Sequence, residues 1–176
     1  MHNGVTWKNM AIFVACVGLF ALWLSNAPAH DDAVFPMARG KSQVSECGAC
    51  HTTYAPGLLP ARSWRKMLSQ LGHHFGEDAS VQEPVRLALL KDLEDMAADG
   101  AYADMRMHRI AASVPVDVTP LRITETAYFR YMHDAVPKSF WRRKSIANPG
   151  NCAACHPRAN EGHFGVRELR IPSDQR

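Results

Sequence analysis

The sequence predicts a mostly α-helical protein with long loops, on three observations. Several stretches repeat apolar residues at helical spacing, among them Trp64, Met67, Leu68 and Leu71 at i, i+3, i+4 and i+7. No segment sustains the apolar–polar alternation of a half-buried strand. Prolines and glycines cut the chain into short pieces, as in the Pro56, Gly57 and Pro60 run. At 176 residues the chain has the length of one domain.

The elements follow in order. Residues 1–8 are polar with Lys8, residues 10–24 are apolar, and Ala27, Pro28 and Ala29 follow. This is the pattern of a secretory signal, with cleavage expected after Ala29. The expected organisation is a signal peptide at 1–29 and a mature domain at 30–176. Fifteen apolar residues (10–24) fall short of the roughly 20 that a spanning helix needs, so the mature chain is not expected to be an integral membrane protein. Cys16 lies inside the apolar run, and every cysteine of the mature chain falls in the two motifs described below. Residues 30–44 read as a loosely ordered arm.

Ser63 is the expected N-cap of the first helix, and Gly72 its expected limit. On that helical face a further turn reaches His74 and leaves His73 opposite. Residues 84–98 form a second expected helix, with Leu87, Leu90 and Leu93 inward, Asp92, Glu94 and Asp95 outward, and Gly100 closing it. Residues 102–112 read as a further helical piece, and 113–120 as an extended connector between Pro115 and Pro120. Thr124 or Thr126 is placed to cap the last helix. Its spacing runs through Phe129, Met132, His133, Val136 and Phe140, with Pro137 as the break.

Two near-identical pentapeptides carry the chemistry: Cys47-Gly48-Ala49-Cys50-His51 and Cys152-Ala153-Ala154-Cys155-His156. Both read C-x-x-C-H, the attachment site of a c-type haem. Two thiols one short turn apart add to the two vinyl groups of one porphyrin, and the histidine that follows swings its imidazole under the iron. Zinc binding also uses C-x-x-C pairs, but it leaves the histidine after each second cysteine unexplained. A thioredoxin-like redox pair lacks the surrounding strand–helix alternation. The expected cofactors are therefore two covalently bound haem c groups with their iron, and the fold class becomes a small helical dihaem c-type cytochrome with long loops wrapped around them. The export signal agrees, since haem attachment in bacteria is completed outside the cytoplasmic membrane. The expected location is the periplasm.

Charge excludes other classes. The net charge of +3 is small, and residues 31–176 carry 19 basic against 17 acidic residues. Four haem propionates would turn that slight excess negative. No nucleic-acid footprint is present, and the basic runs at 62–66 and 142–144 are short.

Each motif histidine leaves the far side of its iron open. Histidine or methionine there closes it for electron transfer, and an empty site permits ligand chemistry. The mature chain offers His30, His73, His74, His108, His133 and His163. His74 and His133 sit on apolar helical faces and are placed symmetrically, 23 residues after His51 and 23 before His156. Met67 and Met132 share those faces, although methionine at such spacing is usually core packing. Two histidines per iron, His51 and His156 joined by His74 and His133, is the preferred reading, with either pairing open. Low-spin, low-potential haems would follow.

The chain resembles the dihaem cytochrome c family over about residues 45–172. The resemblance rests on E-C-G-A-C-H at 46–51, P-G-L-L-P-A-R-S-W at 56–64 and H-F-G-E-D-A-S at 74–80, with L-R-I-T-E-T at 121–126, H-D at 133–134 and N-C-A-A-C-H at 151–156. It implies bis-histidine ligation through His74 and His133. It also implies redox partners, namely a small high-spin, oxygen-binding cytochrome c and membrane b-type cytochromes. The expected function is electron transfer without catalysis. The competing classes are a peroxidase-like or reductase haem enzyme with one open iron, a ligand sensor, and a small dihaem subunit of a larger reductase.

Overall fold

Pro60, extended at φ −69° and ψ 155°, sets the start of helix α1 (Ala61–Leu68). The computed structural model describes residues 33–173 of the protein, so the expected signal at 1–29 and His30 lie outside the described residues. Three more α-helices follow among the described residues: α2 (Glu83–Asp95), α3 (Met105–Ala112) and α4 (Ala127–Met132). Short 3-10 turns and loops join them, and the β pairing described is confined to isolated bridges, Val34 with His163 and His74 with Glu77. Among the described residues no helix is long and apolar enough to cross a membrane.

The start of α1 corrects one expectation. Proline lacks an N–H and suits the position before a helix, so Pro60 displaces Ser63 as the cap. Ser63 lies one turn inside, fully buried, and its N–H donates to the Pro60 carbonyl at 2.9 Å. The helix also ends at Leu68, well before Gly72, so Leu71 and His74 are not on its face.

α1 and α2 form one apolar unit. Trp64 and Leu68 pack with Leu59, Leu89, Leu93 and Ala97. The Trp64 indole donates to the buried Pro56 carbonyl at 2.8 Å, which satisfies its one polar atom. In α2 the inward face is Leu89 and Leu93, four apart; Leu87, expected inward, is 51% exposed. A helical stripe turns 100° per residue, so a position two before Leu89 faces away. Gly100 is needed where it stands, because a side chain there would meet the Glu94 and Asp95 carbonyls at the end of α2.

A second cluster joins Phe35, Ala55, Leu58, Ala98, Met107 and Ile110. It is fixed by α3, whose N-cap Asp104 accepts from the Met107 N–H at 2.8 Å. In the basic run at 62–66, Arg62 donates to the carbonyls of Val114, Pro115 and Val118, and Arg65 pairs with Glu94. These cations tie the connector and α2 to α1. Thr126, not Thr124, caps α4, its hydroxyl accepting from the Phe129 N–H at 3.1 Å. α4 ends at Met132, before Pro137, and Phe140 lies in a separate 3-10 turn, Phe140–Arg142. The expected run through Val136 to Phe140 is therefore shorter than its spacing suggested.

Candidate haem sites

Cys47 closes a π-helical turn, Gln43–Cys47, and the chain then folds sharply through the first motif. Gly48 permits this: a side chain there would meet the Val44 carbonyl and the Thr53 hydroxyl. Val44, Cys50, His51 and Thr53 line a cleft that Asn160 borders from the far end of the chain. The His51 Nδ1–H donates to the Thr52 carbonyl at 2.7 Å. That bond fixes the tautomer and leaves Nε2 free to bind a metal.

His74 faces this ring. The two imidazole centroids are 6.1 Å apart, with planes 19° from parallel. His74 is presented by a tight turn in which its N–H donates to the Glu77 carbonyl at 2.8 Å and the Glu77 N–H returns to the His74 carbonyl at 3.1 Å. Phe75 at φ 54° and Gly76 at φ 106° form the turn. A bulky residue at positive φ is rare and costs about 1–3 kcal/mol. The Arg122 guanidinium covers the Phe75 ring at 3.9 Å. Burial first, then His51 and Arg122, holds the His74 imidazole below its ordinary pKa, which favours the neutral form that binds metals.

The second motif is a 3-10 turn, Cys152–Ala154, followed by Cys155 and His156. The His156 N–H donates to the Cys152 carbonyl at 2.8 Å, and the Arg170 N–H to the Cys155 carbonyl at 2.8 Å, so the tail straps the motif down. His133, the C-cap residue that follows α4, faces His156 with centroids 6.3 Å apart and planes 86° apart. Its Nδ1–H donates to the Phe129 carbonyl at 2.8 Å, again leaving Nε2 free. Its ring stacks on Phe129 at 4.1 Å and lies 5.9 Å from Trp141. His156 is half-buried against Phe164, its Nδ1 is buried without a hydrogen-bond partner, and burial together with His133 holds its pKa down.

Three of the four motif thiols are partly buried. Burial pushes Cys152 up to about 11 and raises Cys155, while burial and Glu46 raise Cys47. Buried thiols of this kind are held protonated near neutral pH.

The residues present fit haem. Two imidazoles bound head-on to one metal at bonds of about 2 Å put their ring centres about 6 Å apart, and both histidine pairs have that spacing. A closed zinc site needs four converging donors; among the described residues no three His, Cys, Asp or Glu side chains converge on a metal position. The chain beyond α4 also buries little apolar surface of its own. Among the described residues beyond α4 the buried apolar side chains are Ile146 and Ala159.

Other sequence candidates lie elsewhere. His73 and His108 are exposed. His163 is engaged by the Arg158 guanidinium at 3.2 Å and lies 3.5 Å from the Glu168 carboxylate. Met67 packs in the α1–α2 cluster, and Met132 is 55% exposed. Two residues with no sequence signal border the sites. Tyr54 stacks on His51 at 5.1 Å and donates its hydroxyl to the Gly150 carbonyl at 2.9 Å. Asn160 accepts from the Thr53 N–H at 2.9 Å. Phe129 was visible as the i−4 neighbour of His133 on one helical face, a spacing that brings side chains together.

Comparison with known proteins finds dihaem cytochromes c. The family model described as dihaem cytochrome c matches residues 43–164. A diheme cytochrome c from Rhodobacter sphaeroides is 37% identical, covering 73% of this chain and 99% of that one, with a TM-score of 0.65. A second structure of the protein purified from that organism is 36% identical, with the same coverage and a TM-score of 0.59. The diheme cytochrome type c of Shewanella baltica OS155 is 30% identical, covering 74% of this chain and 91% of that one, at a TM-score of 0.61. No curated protein matches the chain.

Proposed function

The chain belongs to the dihaem cytochrome c family, and from that membership we propose that it is a periplasmic electron carrier whose two haem sites are both closed by histidine. Family membership implies electron transfer with two haem c groups. The finer reading assigns thioether attachment to Cys47 and Cys50 at one site and to Cys152 and Cys155 at the other. It assigns the iron ligands as His51 with His74, and His133 with His156. The observation that carries it is the pair of facing imidazoles, 6.1 and 6.3 Å apart, each pair containing one motif histidine.

Bound haem supplies a reversible one-electron change at its iron. The protein's residues do the rest. The Thr52 and Phe129 carbonyls hold Nδ1 of His51 and His133 and leave Nε2 of each free for the iron. A second histidine on each side keeps out small ligands and favours low potential. Trp141 and Phe164 pack against His133 and His156 at the second site. The N-terminal residues 1–29 direct export, and the mature chain exchanges electrons with a small high-spin cytochrome c or a membrane b-type cytochrome.

The test is the absorption spectrum of the ferrous holoprotein with and without carbon monoxide. An unchanged low-spin spectrum supports two closed sites. A shift at either haem overturns this reading in favour of an open-site enzyme or sensor. N-terminal sequencing of protein recovered from the periplasm tests export, and a start at His30 is expected.

A further inference from the structure

The two motifs are 105 positions apart, from Cys47 to Cys152, yet one short segment touches both. Immediately after His51, the Thr53 N–H donates to Asn160 Oδ1 at 2.9 Å, beyond the second motif. The Tyr54 hydroxyl donates to the Gly150 carbonyl at 2.9 Å, just before it. Residues 53–54 thus bond to the chain on both sides of residues 152–156. The same Gly150 carbonyl accepts from the Cys152 N–H at 3.0 Å. At its other end the Tyr54 ring stacks on His51, 5.1 Å between centroids and 28° between planes. Gln43 Nε2, buried within the π-helical turn, holds the Tyr54 carbonyl at 2.8 Å. Tyr54 is therefore fixed at its backbone, its ring and its hydroxyl.

We propose that Tyr54 is a positioning residue for electron exchange between the two haem sites: its ring sets the His51 imidazole, and its hydroxyl locks the second motif at one distance from it. Thr53 and Asn160 form the other half of the clamp. This rests on the dihaem electron-carrier reading. The physical need is plain. Electron exchange falls steeply with separation, and the two motifs come from opposite ends of the mature chain with no helix shared between them. Tyr54 neither gains nor loses an electron in this role. It passes no proton, and its hydroxyl stays on the Gly150 carbonyl throughout.

The test uses the intact holoprotein and the variant Tyr54→Phe, which keeps the ring and removes only the hydroxyl. After partial reduction with a rapid one-electron reductant, electron equilibration between the sites is followed optically. Tyr54→Phe is expected to slow it several-fold, while its ferrous spectrum stays low-spin and inert to carbon monoxide. Asn160→Ala should slow it as well, and the two changes combined should slow it more than either alone. Equilibration at the wild-type rate in Tyr54→Phe overturns the proposal. A wild-type protein that binds carbon monoxide would instead overturn the closed-site reading, so the two failures are distinct. A second measurement needs no variant. In the wild-type holoprotein the Tyr54 hydroxyl proton is expected to exchange slowly with solvent, seen by proton NMR. Free exchange there overturns the clamp.

Discussion

The imidazole planes of His133 and His156 cross at 86°. Those of His51 and His74 lie 19° from parallel, at nearly the same spacing. The difference has local causes. His133 is held by the Phe129 carbonyl and ring on α4, while His74 is delivered by the Phe75–Gly76 turn and faces a ring anchored on Thr52. Parallel imidazoles split the two iron d orbitals that π-bond with them, and crossed ones leave those orbitals nearly equal in energy. Electron paramagnetic resonance of the ferric holoprotein should therefore show two unlike low-spin signals. One is an ordinary rhombic signal, and the other is strongly anisotropic with a single dominant low-field feature. Two matching rhombic signals would show that the second pair is not crossed in the holoprotein.

Removing one distal histidine should open one site and spare the other. His133→Ala and His74→Ala are each expected to bind one carbon monoxide per chain, against none for the parent, with half the haem becoming high-spin. His108→Ala and His163→Ala are expected to bind none. His108 is exposed on α3 and His163 is engaged by Arg158. Carbon monoxide titration of the four ferrous variants decides this. Binding by His163→Ala, or none by His133→Ala, would reassign the ligand. Replacement of His74 by methionine should raise the potential of its site relative to the parent.

These assignments show where the sequence was legible. The motifs carry their chemistry in five consecutive residues, and Thr126 capped a helix whose stripe was clear. His74 was reached by extending a helix that in fact stops at Leu68; a tight turn with Phe75 at positive φ sets its position. No periodicity announces such a turn. Leu87 misled because α2 carries leucines on more than one side, and only packing against Trp64 and Leu68 selects Leu89 and Leu93. The Tyr54–Gly150 and Thr53–Asn160 bonds join residues about a hundred positions apart. Their local sequences hold no trace of each other.

The second motif lies where the chain buries little of its own, with Ile146 and Ala159 the buried apolar side chains described beyond α4. The double variant Cys152→Ala/Cys155→Ala is expected to carry one covalent haem per chain instead of two, read by pyridine haemochrome and intact mass. Hydrogen exchange should quicken across residues 133–173. Protection should persist in α1 and α2, whose Trp64, Leu68, Leu89 and Leu93 cluster stands on side chains alone. Retention of both covalent haems would overturn thioether attachment at these cysteines. Equal loss of protection in α2 would mean that the haem supports the whole fold.

The turn that presents His74 is open to a backbone test. Gly76 has φ 106°, a conformation side chains avoid, and an added Cβ would meet no atom within 4 Å. Gly76→Ala therefore acts through backbone strain alone, costing about 1–3 kcal/mol. If that strain falls on the His74 turn, it raises the population of the open first site by about 5- to 150-fold. Gly72 is the internal control. It has no positive φ, and a Cβ added there would come within 3.4 Å of the Ser80 hydroxyl, an ordinary contact. Gly72→Ala should change stability by no more than about 0.5 kcal/mol. Denaturant unfolding of both holoproteins gives the stabilities, and the rate of carbon monoxide uptake reports site opening. Faster uptake in Gly76→Ala but not in Gly72→Ala would tie the strained turn to ligation of the first haem. Equal uptake in both would place the strain elsewhere and leave His74 held by its contacts with Phe75 and Glu77.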